Sequence, residues 1–192
     1  TVQENVARMG DGLADLALSC ITNMETGAWL DARLRGGMRT VRLPWRSLPD
    51  DETLTKHLVP LPEWDRVDKQ TQARHLWAMR QMKAKARSWW NEGVPLPVHV
   101  VSIGNLALVG LGAEVFTQTS LDLAAAHPDL HVLVVGYTNE DVGYLPPTGE
   151  FPYGGYEIER AYFYYGRPDS VAVHTEERVR AVADEMIDRY AS

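Results

Sequence analysis

The chain has a single cysteine, Cys20, in 192 residues, so no internal disulfide staples it. It has no apolar run near the ~20 residues that a membrane-spanning helix needs. Its longest apolar runs, Leu106–Leu111 and Val132–Tyr137, have the length of buried strands. It lacks excess positive charge: 19 Lys and Arg stand against 26 Asp and Glu, and a net charge of −7 disfavours nucleic acid as a partner. The one basic stretch, Arg74–Arg87 with Arg80, Lys83 and Lys85 between, spreads around a helix and reads as a solvated face. A P-loop, a dinucleotide glycine fingerprint and a nucleophile elbow are all absent. Six histidines are present (His57, His75, His99, His127, His131 and His174), but no two are spaced to share a zinc ion on one element. His99 and His131 fall in strand-like stretches, where each could face a cleft or be held by an ordinary hydrogen bond.

What is there is a globular composition, 45% hydrophobic and 23% charged, which suits one domain or one large piece of a bigger one. The chain opens on Thr1 with no initiator methionine or signal peptide, directly into Val6, Met9, Leu13, Leu16 and Cys20 at helical spacing up to about Asn23. A trimmed or processed chain is the expectation. An N-terminal threonine can act as a nucleophile, but that chemistry normally places it at the head of a strand and here a helix follows.

Gly27, Gly36 and Gly37 bracket a predicted loop, and Met38–Trp45 reads as a strand with Val41, Leu43 and Trp45 on one face. Pro44, Pro49, Pro60 and Pro62 mark a long irregular segment. Asp65–Asn91 reads as a helix with Leu76, Met79, Met82, Ala86 and Trp90 as its apolar stripe. Pro97–Ile103 and Leu106–Leu111 flank Gly104-Asn105 and form a hairpin. A helix from Phe116 to Ala126, carrying Leu121, Leu123 and Ala124, leads to an apolar strand at His131–Tyr137 with both faces covered. A final helix covers Thr175–Tyr190, with Val179, Val182, Met186 and Tyr190 on one stripe. The fold class is therefore α/β with α+β character: a mixed sheet containing the 97–111 hairpin, with helices packed on it.

Two places can carry chemistry. Glu114 follows the strand Leu106–Leu111 across a Gly-Ala bend. It is either a carboxylate projected into a site or an acid that favours the start of the next helix. The loop Thr138–Glu157 leaves another central strand and carries Tyr144, Tyr153 and Tyr156 on a chain stiffened by Pro146, Pro147 and Pro152. It is either a binding rim or a packed loop whose tyrosines cap the core.

The run from Val101 to Thr117 (VSIGNLALVGLGAEVFT) resembles the neutral/alkaline, non-lysosomal ceramidase family, in which a hairpin leads into a Pro-Gly-Glu-Phe-type turn. Gly136-Tyr137-Thr138-Asn139, then Gly143-Tyr144, then Tyr156-Glu157, resembles that family's Gly-x-x-Asn…Tyr…Tyr-Glu segment, with matching intervals of five residues from Asn139 to Tyr144 and twelve from Tyr144 to Tyr156.

The resemblance implies the C-terminal half of a layered α/β catalytic domain, with residues 1–192 a single segment of it. Its activity would be zinc-dependent N-deacylation of ceramide to a sphingoid base and a fatty acid. In the family, two upstream histidines, a glutamate and a tyrosine hold the zinc. The glutamate matches Glu114. The tyrosine matches Tyr144, which then also has a catalytic role as a phenol that steadies the oxyanion. Tyr153 and Tyr156 would lie near the substrate. The implied partners are the missing N-terminal half or a separate chain supplying it, and a lipid amide substrate. The implied location is secreted or periplasmic. Three departures stand out: Gly112 in place of proline, Ala113 in place of glycine, and Pro146-Pro147 in place of a hydroxyl pair. The family's histidines, its active-site serine and its immunoglobulin-like domain are not in these residues, so the chain alone should be inactive. A different amide substrate, or a non-catalytic interaction or structural subunit, are the alternatives.

Overall fold

The computed structural model of the chain describes residues 1–22, 33–88 and 93–191. By contacts it divides into two compact units, 1–31 and 32–192. The first holds helix α1 (Val2–Thr22), which starts one residue after Thr1 and has no buried side chain. Val6, Met9, Leu13 and Leu16 are all exposed on it.

The second unit is built on a four-stranded mixed sheet, in the order β1 (Leu34–Leu43), β2 (Val94–Ile103), β3 (Leu106–Leu111) and β5 (His131–Val135). The first two pairings are antiparallel and β3–β5 is parallel. The β2–β3 hairpin turns at Gly104-Asn105, as predicted, with Gly104 at φ +57°, a conformation that glycine adopts without a Cβ penalty. Between β3 and β5 runs α4 (Thr117–Ala126), the crossover that a parallel pair requires.

Alternation puts Leu96, Val98, Val100, Val109 and Leu111 on one face, fully buried. α7 (Thr175–Tyr190) packs Val179, Ala183, Met186 and Ile187 onto that face, and Leu123 of α4 joins them. Ser102 donates to the Tyr190 carbonyl at 2.5 Å, and Arg39 pairs with Glu185 at 2.5 Å at the margin of this layer.

Several expectations are corrected. β1 starts at Leu34, so Gly36 and Gly37 lie in the strand and not in a loop. Both are glycine because of close approach: a Cβ on Gly36 would fall 2.6 Å from the Val100 carbonyl oxygen, and one on Gly37 would strike the Tyr190 ring. Trp45 lies past the end of β1, in a lone bridge to Val171. The proline-marked segment is not structureless. It contains α2 (Asp51–Thr55) and a 3-10 turn at Leu61–Arg66. β5 is not covered on both faces. It is the sheet edge, and Leu133 and Val135 are exposed. In α4 only Leu123 of the expected apolar residues is buried, and Leu121 is exposed.

The long helix, α3 (Lys69–Ala86), begins at an Asp68 side chain that accepts from Thr71 N–H at 2.6 Å. Its buried face is Trp77, Ala78 and Gln81, while Leu76 and Met79 are exposed. The predicted stripe is rotated because Trp77 governs the contact. Its indole N–H donates to the Arg167 carbonyl at 2.6 Å, and its ring meets Phe163 edge-on at 4.9 Å, with Leu54 of α2 completing a small second core. Trp90, the last residue of the predicted stripe, lies outside the described residues.

Urea unfolding of the chain distinguishes the two helix faces. Trp77→Ala should cost about 3–5 kcal/mol, and Leu76→Ala no more than about 0.5 kcal/mol.

Candidate active site

The backbone of residues 111–115 is hydrogen-bonded by the loop 136–145 along its length. Thr138 N–H donates to the Leu111 carbonyl at 3.0 Å and Tyr137 N–H to that of Ala113 at 3.1 Å. Val142 N–H donates to the Gly112 carbonyl at 2.9 Å, and Glu114 N–H donates back to Gly143 at 3.0 Å. Two short parallel strands then form, β4 (Glu114–Val115) and β6 (Tyr144–Leu145), with Glu114 opposite Tyr144.

The glycines of both motifs exist for this contact. A Cβ on Gly110 would fall 2.7 Å from Thr138 Cγ2, one on Gly112 3.1 Å from the Thr138 oxygen, and one on Gly136 3.0 Å from the Ala113 oxygen. Ala113 buries its methyl completely in the main core. Tyr137 and Asn139 take left-handed conformations, φ +55° and +64°, at the reversal of the loop. Such conformations cost of order 1 kcal/mol each and cluster at functional sites.

Glu114 is half-buried, with phenols around its carboxylate. Tyr137 donates to Oε2 at 2.7 Å and Tyr165 donates to Oε1. The Tyr144 phenol is hydrogen-bonded to the same carboxylate, and this bond, followed by burial, raises its pKa. The bond to Glu114 likewise raises that of Tyr137. Around Tyr144, the rings of Phe116, Tyr156 and Tyr165 sit at 6.3, 6.1 and 6.5 Å, all close to perpendicular. Burial is the main cause that raises the Tyr156 phenol, with Tyr164 next.

Tyr165 belongs to α6 (Ala161–Tyr165), which follows α5 (Tyr156–Glu159). The ring of Tyr165 passes over Gly143, where a Cβ would sit 3.3 Å from it. The far end of the loop is tied to α7, where Thr148 N–H donates to Glu177 Oε1 at 3.1 Å.

The structure thus brings Glu114, Tyr144 and Tyr156 together, with Phe116 beside them. Tyr153, at the end of the 3-10 turn Thr148–Tyr153, is 84% exposed and makes no hydrogen bond or ring contact with this group. His99 faces the opposite side of the sheet, 3.3 Å from the Asn139 amide, and His131 is exposed on the edge strand. Two further members of the group, Tyr137 and Tyr165, lie outside the residues that the sequence points to as candidates. The available signal is the aromatic run Tyr162-Phe163-Tyr164-Tyr165, in which Tyr162 and Tyr165, three positions apart, share one side of a helix turn.

Among the described residues, no group of three or more His, Cys, Asp or Glu side chains could hold a metal ion. The carboxylate of Glu114 and the phenol of Tyr144 stand opposite each other as two oxygen-bearing groups. Chemically the cluster offers an anionic acceptor and several phenols able to donate to a developing oxyanion.

These features define a mixed α/β unit with a carboxylate held among phenols. No family model and no curated relative matches the chain. It is similar to the solved neutral ceramidase of Pseudomonas aeruginosa, at 17% identity and a TM-score of 0.45, over 84% of this chain and 29% of that one. It is also similar to a ceramidase solved in complex with C2, at 21% identity and a TM-score of 0.38, over 50% of this chain and 15% of that one. The chain spans less than a third of the length of either ceramidase.

In metal-free protein the raised phenols have a defined consequence. Their folded-state pKa lies above the unfolded value, so the folded state keeps protons that the unfolded state loses. Stability should therefore be unaffected below about pH 10 and fall above it. Ultraviolet titration should show tyrosines ionising later than free tyrosine, and Glu114→Gln should return Tyr137 and Tyr144 toward the ordinary range.

Proposed function

We propose that this chain forms part of a zinc-dependent amide hydrolase of the neutral ceramidase kind, contributing Glu114 and Tyr144 to the metal. The supporting observation is the register pairing of Glu114 with Tyr144, two residues thirty positions apart that the motif resemblance assigns to one metal. The donor set fits two positions of a tetrahedral zinc, and the other two ligands have to come from outside these residues. When bound, zinc supplies an activated water and polarises the amide carbonyl.

The remaining roles fall to residues of this chain. Tyr137 and Tyr165 hold the two Glu114 oxygens and so fix the carboxylate rotamer. Tyr144 keeps its phenol beside that carboxylate, placed to donate to the oxyanion that forms on the amide carbon. Tyr156 and Tyr164, both partly exposed and 6.2 Å apart, offer aromatic surface to the apolar part of a lipid amide.

A second reading keeps the scaffold and changes the substrate. Pro146 and Pro147 leave no side-chain hydroxyl where the family has a pair, which favours an amide without a polar head group bound there.

The test uses the natural protein that contains these residues. Wild type should purify with stoichiometric zinc. Glu114→Ala should weaken zinc binding by more than the about 10- to 100-fold typical of losing an outer partner, and should abolish release of fatty acid from ceramide. Unchanged metal content in Glu114→Ala would overturn the assignment. Turnover of short N-acyl amides alone, with ceramide untouched, would favour the second reading.

A further inference from the structure

A cavity of about 310 Å³ opens between α3 and the Gly166-Arg167-Pro168 segment. Its walls include Trp45, Arg80, Gln81, Gly93, Gly166 and Arg167. The two arginines make it unusual in a chain of net charge −7. Among the described residues, no carboxylate lies within ion-pair distance of Arg80 or Arg167. Asp169, two residues from Arg167, is already engaged: Arg46 holds both its oxygens at 3.1 and 2.9 Å, and Ser47 donates to it at 2.7 Å. Nε of Arg167 is buried with no hydrogen-bond partner. A buried donor without an acceptor, on a charged group, is costly.

The segment that carries Arg167 is firmly held. Arg167 N–H donates to the Tyr162 carbonyl at 3.0 Å. The Arg167 carbonyl accepts from Trp77 at 2.6 Å, and the Gly166 carbonyl accepts from Gln81 at 2.9 Å. Pro168 restricts the backbone of Arg167 further. Gly166, at φ +65°, has no side chain where a Cβ would lie 3.2 Å from Arg80 Nη1, so the second guanidinium can close in. The Arg167 guanidinium also lies over the Trp45 ring at 5.9 Å. Two planar cations thus line one cavity beside an aromatic wall, Arg167 on a held segment and Arg80 on the exposed side of α3, the chemistry that recognises oxyanions.

We propose that this cavity binds a small organic oxyanion, a carboxylate or a phosphate monoester. Arg80 and Arg167 hold its charge, and Trp45 lies against its apolar body. The site is distinct from the Glu114 cluster, although Trp45 and Arg167 also line a smaller cavity of about 20 Å³ that reaches Tyr144 and Tyr165.

The test is calorimetric and ligand-detected titration of the chain with benzoate, phenyl phosphate and neutral benzamide. Either anion should bind while benzamide does not, and added salt should weaken binding. Stronger binding of benzoate assigns a carboxylate, and stronger binding of phenyl phosphate a phosphoryl group. Arg167→Met should lower affinity about 10- to 100-fold. Arg80→Met should also lower it, and because Arg80 is exposed on α3 that variant keeps the fold if Arg167→Met does not. Benzamide binding as well as the anions, no saturable anion binding at millimolar concentration, or unchanged affinity in a folded Arg80→Met would each overturn the proposal.

Discussion

The backbone pairing of residues 111–115 with the loop 136–145 is the constraint on which the site depends. Amide and carbonyl groups on both sides of a five-residue segment are satisfied by one loop. Each bond contributes modestly, yet leaving any of these groups buried and unpaired would cost more than its formation gains. The segment and the loop therefore fold together or not at all. Glycines at 110, 112 and 136 permit the approach, and their lack of side chains is as much part of the site as the side chains of Glu114 and Tyr144.

The arrangement also explains how a carboxylate persists among rings. Glu114 sits in a half-apolar neighbourhood, and phenol hydrogens replace the water it gives up. Such a group is held in one rotamer before any ligand arrives. Preorganisation of that kind is what metal and oxyanion sites need, because little further ordering is required on binding.

Much of the frame was legible in the residues. The Gly104-Asn105 turn and the Thr175–Tyr190 helix follow directly from local chemistry: a turn with one left-handed glycine, and a single apolar stripe with acids in its first turn. Glu114 and Tyr144 were visible through motif spacing, and their pairing through β4 and β6 was not, because two-residue strands leave no periodicity to read. Failures came where tertiary contact outweighed pattern. Leu76 and Met79 of α3 lost their place to Trp77, whose indole N–H finds a buried carbonyl. Gly36 and Gly37 read as a loop because glycine ordinarily breaks strands. The pressure of Tyr190 and the Val100 backbone that demands them comes from elsewhere in the sequence. The role of Tyr165 is hidden from local pattern for the same reason, since it comes from where α6 lands.

The contact between Gly37 and Tyr190 also bears on how the polypeptide is made. The first strand of the sheet finds its cover only when a helix some hundred and fifty positions later has left the ribosome. Until then the hairpin presents bare valines and leucines, and loop closure over that span is slow. In a nascent chain of this topology that apolar face stays open until α7 has emerged, which lengthens the interval in which it can associate wrongly.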